Sequence, residues 1–231
     1  MIRLFNTIIV GFFLLGCAAT QIPAKYTPYL QNSTQAILVT AKKDSTQGTL
    51  TFYERKNTET EWKAQYRFKV RIGRNGFAWD SSFSQHSDNI KKEGDGCAPA
   101  GVFSLGPVFS YYPLPNLKMP FEQVTKKHLC IDDTASEFYN RLVLTDTIFN
   151  ADWRSFEFMQ RNDAQYAYGV WVNYNTNPTV AGNGSCIFLH VWKDADTPTA
   201  GCTAMQQEDM LKLIYALDSV QNPMLLQYIV E

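Results

Sequence analysis

Two stretches decide how this chain folds: Ser185-Cys186-Ile187-Phe188-Leu189-His190-Val191-Trp192 and Pro198-Thr199-Ala200-Gly201-Cys202-Thr203-Ala204-Met205. The first is an apolar run of the length of a buried core strand, shorter than an ordinary helix. A histidine near its end can project from a sheet rim. A short polar loop follows, and the chain then returns through Gly201-Cys202. A cysteine nucleophile needs a nearby base to hold it as thiolate, and histidine does this at neutral pH. Gly201 lets the backbone turn closely, so the N–H groups of Gly201 and Cys202 can face a developing oxyanion. On residue types alone, a purely structural His/Cys pair remains the commoner explanation.

Working outward, strand-like runs rich in β-branched and aromatic residues recur at 37–40, 49–53 and 64–72. In the third, Tyr66, Phe68, Val70 and Ile72 alternate with Arg67, Lys69 and Arg71, the period of a half-buried strand. Arg74-Asn75-Gly76 and Glu93-Gly94-Asp95-Gly96 supply turn chemistry. Residues 168–174 predict another core strand and 224–230 a closing one. Met210, Leu213, Ile214 and Leu217 fall at helical spacing and predict a helix over 206–218, stopped by Asn222-Pro223. Residues 118–161 read as loop with short helix. No repeat or second composition regime appears. The expected fold is one domain over 36–231, mainly β with few helices, an α+β arrangement.

Composition narrows the function. Lys plus Arg is 21 and Asp plus Glu is 22, and no basic run occurs, so no nucleic-acid partner is expected. Five cysteines in 231 residues are too few for a disulfide-framework miniprotein. At the N-terminus, Arg3 precedes the apolar run 7–15, which ends Leu14-Leu15-Gly16-Cys17-Ala18. That run is too short to span a bilayer and has the form of a signal-peptide core. Its end resembles the lipobox of bacterial lipoproteins. The resemblance implies a cleaved leader over 1–16, a thioether lipid on Cys17 and a tether over 17–35. The domain is then expected in the cell envelope, held to the membrane by its anchor on the periplasmic face, at the outer membrane if the cell has one. Such a compartment is oxidising.

His190, Thr199-Ala200-Gly201-Cys202, and the upstream segment Gly94-Asp95-Gly96-Cys97-Ala98-Pro99-Ala100-Gly101-Val102-Phe103 together resemble the L,D-transpeptidase (YkuD-type) catalytic domain. The likeness runs from about residue 71 to the end. It implies that domain's mixed β-sheet and an enzyme that acts on peptidoglycan stem peptides through Cys202, with His190 as base. It also implies that Gly201 and Cys202 supply the oxyanion donors, that Thr199 orients loop or substrate, and that no cofactor is used. The match departs from the family pattern. Ala200 stands where most relatives carry histidine, and Thr203-Ala204 where many carry Arg or Asn. Val191-Trp192 replaces Gly-Thr, and the His-to-Cys spacing is short. These departures mark a divergent branch and leave the acceptor open. A stem amine gives transpeptidation, and water gives an L,D-carboxypeptidase or amidase-like hydrolase. A peptidoglycan-binding lipoprotein without turnover is the other reading.

Four further expectations concern the remaining candidates. Cys97 and Cys130 are expected to pair as a disulfide, with Cys186 a small buried thiol. Trp192 is expected to wall the site, and Asp133, Tyr139 and Asn140 to line a cleft by Cys130. His86 and His128 are expected to be exposed and idle. Three scattered histidines and no H-E-x-x-H motif make a metal site unexpected.

Overall fold

The alternation in residues 64–72 takes shape as the third strand of an antiparallel meander. The structure, a computed structural model, describes residues 21–83 and 89–230. The leader, Cys17, the first residues of the tether and His86 lie outside the described residues. In chain order the strands are β1 (Gln35–Lys42), β2 (Gln47–Glu54), β3 (Lys63–Arg71), β4 (Phe77–Trp79), β5 (Ala98–Ser110), β6 (Phe121–Gln123) and β7 (His128–Ile131). They continue with β8 (Leu142–Leu144), β9 (Phe156–Phe158), β10 (Tyr168–Val172), β11 (Phe188–Val191), β12 (Thr203–Met205) and β13 (Met224–Val230), and helix α1 is Gln207–Ala216.

β1, β2 and β3 pair antiparallel, and β13 adds to β1 in parallel. On the far side, β5 is long enough to serve two partners. Its Gly101–Ser104 half pairs with β13, and its Leu105–Ser110 half with β10. From β10 the path runs through β11 and β12 back to β3. Eight strands therefore close into a ring, with β4 and β6 flanking β5. Closure leaves these eight strands without a free edge. The interior is filled by Ile37, Val39, Leu50, Phe52 and Leu225, together with Met210, Leu213 and Ile214 from α1. The mainly β expectation holds.

Three details differ from the expectations. The tether reading fails from Ala24 onward: Ala24–Leu30 is a 3₁₀ turn whose Tyr26 and Leu30 are buried. Tyr26 lies 5.3 Å from Tyr228 between ring centroids, and Arg55 donates to the carbonyls of Leu30 and Ser33 at 2.6 and 2.8 Å. Pro23 and Pro28 suggested an open tether, but the apolar area of Tyr26 and Leu30 outweighs them. The helix is also shorter than its pattern. Leu217 is already extended, and the Asp218 N–H leaves the helix axis to donate to Gln35 Oε1 at 2.9 Å. Finally, residues 118–161 hold β6 and a three-stranded sheet in the order β8-β7-β9, with a single 3₁₀ turn at Thr145–Thr147.

If residues 24–30 belong to the core, Leu30→Ala should cost about 2–5 kcal/mol, as for other buried leucines. Urea unfolding measures this. A loss under about 0.5 kcal/mol, the size of an ordinary surface change, would restore the tether.

Candidate active site

Alternation along β11 points Leu189 and Val191 into the main core, while Phe188 joins a second cluster with Phe109, Tyr166, Trp171 and Cys202. His190 shares the Phe188 side. β11 and β12 run parallel, with Leu189 opposite Thr203 and His190 opposite Ala204. Cys202 sits one residue before β12, where the Phe188 N–H donates to its Sγ at 3.3 Å. The thiol donates to the Cys186 carbonyl at 3.5 Å. Cys202 and His190 line one cavity of about 350 Å³ with Thr199, Tyr166, Glu157 and Lys91. The two residues singled out for chemistry are thus brought together.

The return loop is shaped by Thr199. Its hydroxyl donates to the Cys202 carbonyl at 2.6 Å and accepts from the Gly201 N–H at 3.1 Å. Its backbone is held by the end of β3: the Thr199 N–H donates to the Ile72 carbonyl, and the Arg74 N–H to the Thr199 carbonyl. A side chain at Gly201 would meet the Cys97 carbonyl at 3.1 Å, so glycine lets the loop pass. Thr199 therefore orients the loop. The expectation for Gly201 needs correction: its N–H is already engaged by Thr199, which leaves the Cys202 N–H as the loop's candidate oxyanion donor.

Burial governs the two reactive groups. His190 is held down to a pKa of about 4, chiefly by desolvation. Its Nδ1 faces the carbonyls of Val191 at 2.8 Å and Gln165 at 3.2 Å. A carbonyl only accepts, so Nδ1 carries the hydrogen and Nε2 is the basic nitrogen. Burial, and next the Glu157 charge, push the Cys202 thiol well above its ordinary range. Both shifts favour a neutral thiol beside a neutral imidazole over the thiolate expected. Tyr166 packs edge-on against His190, 5.1 Å between centroids, and donates to Glu157 Oε2 at 2.5 Å. Enclosure raises the Glu157 carboxyl.

The Gly94-Asp95-Gly96 turn forms a second wall. Asp95 accepts from buried Lys91 Nζ at 2.7 Å and from the Cys97 N–H at 2.8 Å, and Gly96 takes a left-handed φ of +71°. The small sheet β8-β7-β9 closes the cavity from above with Asp132 and Glu157.

Several expectations are corrected here. The disulfide joins Cys130 to Cys186, and Cys97 is a free buried thiol. Cys186 turns out of the strand with φ +54° toward β7, whereas the Cys97 thiol donates to the Asn75 carbonyl at 3.4 Å. Asp133 is not a lining residue. It accepts from the N–H groups of Ala135 and Arg154, and its neighbour Asp132 lines the cavity instead. Tyr139 and Asn140 brace the site without lining it. Tyr139 donates to Glu93 and accepts from the Gly184 N–H, and Asn140 accepts from the Cys186 N–H at 3.0 Å and donates to the Tyr174 carbonyl at 2.9 Å. Trp192 lies across the loop, in a different groove. His128 is buried, with Nε2 3.1 Å from Glu122. Glu157 and Tyr166 carry no sequence signal, because each stands alone in its segment, and nothing in the sequence singles out Asp132 from its neighbour Asp133. Among the described residues, no group of three or more His, Cys, Asp or Glu is placed to hold a metal ion.

His190 on β11 and Cys202, one residue before the parallel strand β12, thus share a cavity in a closed, mainly β domain. The model of the L,D-transpeptidase catalytic domain (YkuD) matches residues 37–221, and the chain belongs to that family. Its members are cysteine-dependent L,D-transpeptidases that act on peptidoglycan. A search of the curated proteins found no match.

Two measurements test the site. Under denaturing, non-reducing conditions a maleimide should label Cys97 and Cys202 and leave Cys130 and Cys186 unlabelled; a label on Cys130 with Cys97 protected would reverse the pairing. The second concerns pH. The folded His190 pKa of about 4 lies below the ordinary histidine value of 6.5, so between them the unfolded chain binds the extra proton. Stability is full above the unfolded value and falls on acidification, by up to about 3 kcal/mol from this residue. Urea unfolding near neutrality and in mild acid should show a smaller acid loss in His190→Gln than in the unsubstituted protein. Equal losses would place the histidine in water.

Proposed function

We propose that this protein is an envelope-anchored L,D-transpeptidase that cleaves a stem peptide at an L-centre through a thioester on Cys202. The observation that carries the reading is that Cys202 and His190 share one cavity, with the hydrogen of His190 held on Nδ1. In the first half-reaction, Sγ attacks the carbonyl carbon and the thiol proton passes to His190 Nε2. The Cys202 N–H, and not that of Gly201, stabilises the oxyanion. The amide C–N bond breaks, and His190 returns the proton to the leaving D-alanine amine. In the second half-reaction an acceptor amine attacks the thioester, the C–S bond breaks, and a proton from the amine returns to the sulfur through His190.

A neutral resting pair suits this sequence. The thiolate forms only as substrate arrives, which limits idle oxidation of the sulfur in an oxidising space. The Cys130–Cys186 bridge supports the same compartment. Lipidation of Cys17 after removal of 1–16 accounts for retention at the membrane.

The test uses disaccharide-tetrapeptides. Cys202→Ala should lower D-alanine release and dimer formation by roughly 10³-fold or more, and His190→Gln by roughly 10²–10⁴-fold. Turnover by Cys202→Ala at the unsubstituted rate would end the assignment. A carbapenem should leave a mass adduct on Cys202.

A further inference from the structure

The net charge of −1 conceals a groove lined by four cations and one acid. On β3, alternation places Arg67, Lys69 and Arg71 on one face of the sheet. The register carries that face across the meander: Lys69 is opposite Thr49, Thr49 is opposite Thr40, and Thr40 is opposite Tyr228. Lys42, two residues beyond Thr40, completes the set. These four cations line a groove of about 880 Å³, and Asp196 is the acid among the described residues lining it. Asp196 is almost wholly exposed and is paired with Arg71 at 3.2 Å, so Lys42, Arg67 and Lys69 face solvent without a lining acid to offset them.

The other end of the same face is occupied. Tyr26 packs tilted against Tyr228, and Lys25 Nζ lies 5.0 Å over the Tyr26 ring. The N-terminal segment thus crosses the face that bears the groove. Seven residue-to-residue steps lead from Cys17 to Ala24, a reach of at most about 25 Å. An anchor on Cys17 would hold this face, with its cations, close to the bilayer. A row of cations brought within a Debye length of an anionic leaflet is attracted to it.

We propose that the β1–β3 and β13 face, through Lys42, Arg67 and Lys69, docks on the phosphate headgroups of an anionic phospholipid surface. The proximity argument rests on the anchor reading for Cys17, whereas the charge argument does not. Docking would set the orientation of the domain. The loop 193–198 separates the groove from the cavity, because Ala195 and Asp196 line the first and Pro198 the second. Trp192 also lines the groove and is a built-in reporter.

The test uses the mature chain from residue 17 carrying Cys17→Ser, so that no acyl chain contributes. It is sedimented with vesicles of mixed phosphatidylglycerol and phosphatidylcholine, and with phosphatidylcholine alone, at low and high salt. Binding to the anionic vesicles is expected, lost at high salt, with a shift in tryptophan emission that is absent in Trp192→Phe. Arg67→Glu with Lys69→Glu should lower it roughly tenfold or more. Both side chains are exposed, and Arg67→Gln with Lys69→Gln gives a milder second variant if the first unfolds. Equal binding to both vesicle types, or unchanged binding by both folded variants, overturns the proposal. So does a soluble polyphosphate that binds the groove when the vesicles do not. Labelling of Cys17 by a fatty-acid analogue in cells reports separately on the anchor. Loss of label with vesicle binding intact removes the anchor alone, and label without vesicle binding removes the docking face alone.

Discussion

The parallel pairing of β11 with β12 is the constraint on which the site depends. Parallel neighbours normally need a crossover of a dozen or more residues, often a helix. Here the chain leaves β11 after Val191 and starts β12 at Thr203, with no helix between. So short a return must be held from outside, and the end of β3 does it. Ile72 and Arg74 bond the backbone of Thr199, and the Arg71 guanidinium reaches the Ala195 carbonyl. Thr199 then fixes Gly201 and Cys202. Remove these ties and the return loop that carries Cys202 to its place beside Phe188 loses its support from β3.

The second level of organisation is the small sheet β8-β7-β9. It is joined to the ring covalently through Cys130–Cys186 and by Asn140, which binds residues 174 and 186 together. Closing a loop of this length in the unfolded chain accounts for about 4 kcal/mol in the chain-entropy model. The same sheet brings Glu157 over the nucleophile. Enclosure therefore does two things to Cys202: it strips water from the thiol and sets a carboxyl group near it. Both favour the protonated sulfur, and His190, equally stripped, stays neutral.

What the sequence discloses follows from how local each feature is. The strands at 37–40, 49–53 and 64–72 are legible because alternation is a property of neighbours. Cys202, His190 and Thr199 are legible because strand, loop and return lie within one short stretch. The cysteine pairing is not, because it depends on where β7 packs, and nothing near Cys97, Cys130 or Cys186 encodes that. Asp132 and Asp133 show the same limit: adjacent in sequence, they face opposite ways, and only the turn at Ala135 and Arg154 decides which enters the cavity. The tether misreading has the opposite cause. Two prolines dominate residues 18–35 to the eye, yet two apolar side chains dominate the energy.

One feature of the ring bears on how such a chain is made. β1, at the start of the domain, lies in parallel against β13, at its end, through seven registered positions from Ala36 to Lys42. The ring cannot close until residues 224–230 have left the ribosome. Contacts of such large sequence separation form slowly. A barrel whose first and last strands must meet has no way to lock before its synthesis is complete.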